Sequence, residues 1–115
     1  MKGIKREEVK EIIERIGLPC AYYQFQEETS QSPPFICWFF ASRDDMLADD
    51  TNYVDKELLE IELYTRNRDF DTEKQVEDVL KSTGLVFSKE PNFINNEKIW
   101  QIAYESEVII NESEE

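Results

Sequence analysis

The chain has 115 residues, 13 Lys plus Arg against 26 Asp plus Glu, no His, and a formal net charge of −13. Hydrophobic residues make up 40% and aromatic residues 12%, too much for a disordered acidic tail and enough for one modest core. The missing imidazole excludes a Ser-His or Cys-His dyad and a His metal ligand, and the surplus of acid disfavours tight contact with nucleic-acid phosphates.

No apolar run approaches the roughly 20 residues that span a bilayer, and Met1-Lys2-Gly3-Ile4-Lys5-Arg6-Glu7-Glu8 is charged where a signal peptide is apolar. The expectation is a cytoplasmic domain without membrane contact. Cys20 and Cys37 form no CxxC pair, and in a reducing compartment they stay thiols. Cys37 lies inside the most apolar run and reads as a small buried hydrophobe.

Val9, Ile12, Ile13 and Ile16 repeat at i, i+3, i+4, i+7 and predict a helix with one apolar stripe. Glu7 and Glu8 suit the positive end of its dipole, Gly17 suits the position just past its end, and Pro19 prevents resumption. A strand over residues 20–25 follows from the aromatics at 22, 23 and 25. Residues 27–34 are polar and end in two prolines, a loop. Phe35-Ile36-Cys37-Trp38-Phe39-Phe40-Ala41 is short and wholly apolar, which predicts a central strand buried on both faces.

Residues 42–52 are polar again, with Asp44-Asp45 and Asp49-Asp50 around Met46-Leu47. A long strand over residues 53–65 then alternates Leu59, Ile61 and Leu63 with Glu60 and Glu62, which predicts one wet face. A second helix begins near Thr72, where Thr72 and Gln75 fit a capping box and Asp71 competes as cap; Gly84 ends it. Residues 85–94 and 98–110 predict a hairpin with a type I′ turn at Asn95-Asn96. Pro91 makes the first arm an edge strand or a bulged one. In the second arm Trp100, Ile102, Tyr104, Val108 and Ile110 share a face broken only by Ser106. The order α-β-β-β-α-β-β predicts an α+β fold, a mostly antiparallel sheet with two helices packed on one face. Residues 1–110 read as one domain and residues 111–115 as a frayed acidic tail.

Constellations for chemistry are weak. Asp44, Asp45, Asp49 and Asp50 lack the glycine and alternating spacing of a calcium loop, so a solvated acidic loop is the simpler reading and no cofactor or metal is expected. The chain carries neither GxGxxG nor GxxxxGK[ST], its serines have no partner base, and its aromatics lack the interleaved cations of a nucleic-acid platform. The expectation is a protein that is not an enzyme and reads no nucleic-acid sequence. Met46 and Leu47 are apolar residues inside an acidic loop. They serve either as anchors in a neighbouring protein, with Asp44, Asp45, Asp49 and Asp50 as a selective rim, or as a pair tucked onto their own domain.

The succession of Gly17-Leu18-Pro19, Ala21-Tyr22-Tyr23-Gln24-Phe25, Pro33-Pro34-Phe35-Ile36, Ala48-Asp49-Asp50 leading to Tyr53, Leu59-Glu60-Ile61-Glu62-Leu63-Tyr64-Thr65, Gly84 and Trp100-Gln101-Ile102-Ala103-Tyr104-Glu105 resembles the small tail-completion or tail-terminator proteins of long-tailed phages and prophages of Gram-positive bacteria. The resemblance runs from about Glu8 to Val108 and rests on order and local phrases. It implies a structural protein that assembles in the host cytoplasm and stays in the virion tail. Such proteins form a ring of copies, typically a hexamer, that caps the tail tube and meets the head-completion protein. The competing expectation is a monomeric acidic protein-binding module, an adaptor or a DNA-mimicking inhibitor.

Overall fold

The computed structural model describes residues 3–25, 31–41 and 55–111. Asp44, Asp45, Met46, Leu47, Asp49 and Asp50 lie outside the described residues, as do residues 112–115 and the first two residues of the expected third strand. The elements run α1 (Arg6–Arg15), β1 (Cys20–Tyr22), β2 (Phe35–Ala41), β3 (Asp55–Thr65), α2 (Phe70–Ser82), β4 (Ser88–Ile94) and β5 (Ile99–Ile110). This is the expected α+β order. The sheet order is β1-β2-β3-β5-β4, antiparallel throughout except for the parallel β1–β2 pair.

The helices form where the stripes and caps demand. In α1 the Lys5 amide donates to Glu8 Oε1 at 2.9 Å, and Gly17 closes the end at φ +90°. In α2 the cap is Asp69, not Thr72 or Asp71. The Asp69 carboxylate accepts from the Thr72 amide at 3.1 Å and from the Thr72 hydroxyl at 2.7 Å. Thr72 therefore helps the cap from inside the first turn, and the cap lies three residues earlier than the capping box suggests. Gly84 takes φ +81° with nothing near its missing side chain.

Both helices cover one face of the sheet. Val9, Ile12, Ile13 and Ile16 of α1 and Val76 and Leu80 of α2 join Ile36, Trp38, Leu59, Ile61, Leu63, Ile102, Tyr104, Val108 and Ile110 in one core. The sheet members of that core sit two apart along each strand, which puts them all on the same side. Gln75 Nε2 donates to the Ile16 carbonyl at 2.7 Å and fastens α2 to the end of α1. Near the start of the chain, Ile4 bridges to Ile110: its amide donates to the Ile109 carbonyl at 2.8 Å, and its carbonyl accepts from the Asn111 amide at 2.9 Å.

Several expectations change. The middle strand is β3; β2 is interior but one place from the edge. Only the Ile36 and Trp38 side of β2 lies under helices, while Phe35 and Phe39 on the other side are half-buried. β1 ends at Tyr22 because Tyr23 takes φ +72°, which a strand does not accommodate. Pro91 does lie in an edge strand, β4, which begins at Ser88 because residues 85–87 are irregular. The hairpin turn spans residues 95–98 and puts its left-handed residue at Lys98, φ +53°, so it is a four-residue loop and not a type I′ turn.

Candidate interaction surface

The face of the sheet opposite the helices carries no covering element among the described residues. Alternation along the strands assigns to it Phe35, Cys37 and Phe39 of β2, Leu58, Glu60, Glu62 and Tyr64 of β3, Gln101, Ala103, Glu105 and Glu107 of β5, and Glu90 and Asn92 of β4. It divides into an aromatic half and an acidic half.

The aromatic half is a shallow groove of about 750 Å³ lined by Tyr23, Phe25, Phe35, Phe39, Glu62 and Tyr64, among others. Phe35 stacks on Tyr64 with centroids 4.9 Å apart, Phe25 meets Phe35 edge-on at 5.4 Å, and Tyr23 meets Phe39 edge-on at 5.6 Å. The floor is fixed by hydrogen bonds that cross three strands. Asn92 Nδ2 donates to Gln101 Oε1 at 3.4 Å, Gln101 Nε2 to the Tyr64 hydroxyl at 2.9 Å, and that hydroxyl to Glu62 Oε1 at 2.9 Å. Burial raises the Tyr64 hydroxyl above the ordinary tyrosine range, so it stays a donor.

The acidic half is under electrostatic load. Register places Glu60 directly opposite Glu105, and Glu62 lies two residues along the same face. Like charges facing across strands repel. Burial, followed by the bond to and charge of Glu62 and then by Glu105, pushes the Glu60 carboxyl up to about 7. The expected wet face of β3 is thus partly dry: Glu60 and Glu62 are half-buried. Cys37 sits across from Glu62, and burial plus that charge push its thiol up to about 11, which leaves it unreactive. Burial likewise raises the Cys20 thiol.

On the helix side lies a second ionic cluster that spacing alone does not reveal. Glu73 is 1% exposed and accepts a forked bond from Arg68, Nε to Oε2 at 2.9 Å and Nη2 to Oε1 at 3.2 Å. Lys89 of β4 reaches Glu73 at 2.9 Å and Glu77 at 2.7 Å, and the Tyr104 hydroxyl donates to Glu77 at 2.7 Å. Burial pushes the Glu73 carboxyl up, but the bonds from Arg68 and Lys89 outweigh it and hold the group below its ordinary value. The Arg68 guanidinium also lies over the Phe70 and Trp100 rings at 4.7 and 5.1 Å. Every carboxylate here is paired, so the cluster locks α2 to β4 and β5. Glu73 and Glu77 lie four apart on the inward side of α2, but no local pattern names Lys89, on a strand, as the partner of both.

Among the described residues no group of three or more Cys, Asp and Glu is placed to hold a metal ion, and no helix is long and apolar enough to cross a membrane. No family model, no curated protein and no solved structure matches this chain.

Proposed function

We propose that this chain is a structural protein of a phage or prophage virion, which caps the tail tube as a ring and joins it to the head-completion protein. The reading rests on the resemblance in the sequence and on one observation, the uncovered sheet face. Its aromatic half offers apolar area and a fixed hydrogen-bonded floor, as a contact that excludes water requires. Its acidic half carries a repulsion among Glu60, Glu62 and Glu105 that a basic side chain of a neighbouring surface would relieve. The sheet edges are poorer docking sites: β1 is three residues long and β4 contains Pro91. A face that meets a different surface on the next copy makes a head-to-tail contact, and such contacts close into rings when the rotation allows. The role involves no catalytic step, cofactor or membrane. The protein would act on the host cytoplasmic side during assembly and remain in the virion tail.

The row of Glu60, Glu62 and Glu105 favours a second reading, a monomeric module whose acidic face binds a basic protein. Light scattering across protein concentration, with and without tail-tube protein, separates the two. Ring formation, alone or on the tube protein, supports the first. A strict monomer in both conditions that binds a basic protein with steep salt dependence replaces it with the second. Phe39→Asp, on the open face, should abolish the ring and keep the fold. Met46→Ser with Leu47→Ser should weaken the ring if that loop anchors a neighbour.

A further inference from the structure

Beside the handover from β3 to α2 lies a second cleft, open to solvent and of about 370 Å³, apart from the open sheet face. It is lined by Pro33 and Pro34 on one side of the chain and by residues 65–69, Thr65 to Asp69, on the other. Thr65 is 3% exposed, and its Oγ1 is the one buried side-chain polar atom among the described residues that has no hydrogen-bond partner. Native proteins rarely leave such a group unpaired, because its hydration is lost without replacement. A hydroxyl of this kind lining a cleft points to something that belongs in the cleft.

The surrounding chemistry says what. Arg66-Asn67-Arg68 sets two cations and an amide within three residues of a chain that has only 13 basic residues. The fork from Arg68 to Glu73 uses Nε and Nη2 and leaves Nη1 outside it. The one acid of the lining, Asp69, has both oxygens engaged by Thr72 as the helix cap. Hydroxyl, amide and guanidinium groups donate, and a planar or tetrahedral group of oxygens accepts. We propose that this cleft binds an oxyanion, a carboxylate or a phosphate, through Thr65 Oγ1, Arg66 and Asn67.

The test is a titration of the ¹⁵N-labelled protein with inorganic phosphate and, in parallel, with acetate, at an ionic strength held constant with sodium chloride. The expected result is saturating shifts of the amides at 65–68 and of the Trp100 indole. In Thr65→Val and in Arg66→Ala the half-saturation concentration should rise at least tenfold. Thr65→Val keeps the shape and removes the unpaired hydroxyl, so it should fold at least as well as the wild type. Arg66 is exposed, so Arg66→Ala keeps the test sharp if the first variant folds poorly. Saturation by both anions identifies a carboxylate site suited to an acidic side chain of a partner, and saturation by phosphate alone identifies a phosphate site. Shifts that stay linear with both anions, or half-saturation unchanged in both variants, would overturn the proposal.

Discussion

Replacing Glu60 with Gln tests the electrostatic load on the open face. The Glu60 carboxyl moves from an ordinary 4.5 to about 7 in the folded protein, chiefly through burial and then through Glu62 and Glu105. Between those two values the native state holds a proton that the unfolded chain has released. Wild-type stability therefore falls as pH rises from about 4.5 to about 7, and the penalty is complete above that window. Each pH unit of the displacement is worth about 1.4 kcal/mol, which sets a ceiling of about 3 kcal/mol. Glu60 is only half-buried, so water and salt screen the penalty to about 1–2 kcal/mol. Gln has the same shape and no charge. Glu60→Gln should gain about 1–2 kcal/mol at pH 8, keep little of that gain at pH 5, and show a flatter profile between. Urea unfolding of both proteins at pH 5, 6, 7 and 8, at one low ionic strength, measures it. The paired Glu73 works in the opposite sense, losing stability as pH falls through its lowered value, but it is common to both proteins and cancels in the difference. A Gln variant no more stable at pH 8, or equally stabilised at pH 5, would refute the account.

Three further outcomes are expected. Glu73→Gln should cost about 3 kcal/mol in chemical unfolding, the low end for breaking a buried ionic group, because Arg68 and Lys89 still reach water. Trp38→Ala removes a ring that is 7% exposed and meets Tyr22 edge-on at 4.9 Å, so its unfolding free energy should drop by about 3–5 kcal/mol. Gly84→Ala meets no atom within 4 Å, so the loss of about 1 kcal/mol expected in a thermal melt comes from backbone conformation alone.

What could be read from the chain and what could not follows from the range of each interaction. The stripe Val9-Ile12-Ile13-Ile16, the stops at Gly17 and Gly84, and the alternation from Trp100 to Ile110 are local signals, and they place both helices and β5 within a residue or two. The sequence offers Thr72 and Asp71 as caps of α2, but the connector residue Asp69 takes the position, because Thr72 then serves it twice. The turn after Ile94 offered two asparagines, yet the ladder register puts the left-handed residue at Lys98. The pairing of Glu60 with Glu105 depends on a register between residues 45 apart in the chain, which no local pattern encodes. The same is true of Lys89 meeting Glu73 and Glu77. Cys37 is buried, as its place in an apolar run predicts, although the groove beside it leaves its β2 neighbours Phe35 and Phe39 half open.

The stitch between Ile4 and Ile110 has a practical consequence. Residues 3 and 111 lie side by side, with Gly3 packed against the Asn111 side chain. A few added residues would suffice to join them, and the chain could then be opened in the 95–98 turn to give a circularly permuted molecule with the same ladder. Such a rearranged gene would carry its new ends, and any dye or affinity handle attached to them, at the tip of the β4–β5 hairpin, on the far side of the ladder from the stitch between residues 4 and 110.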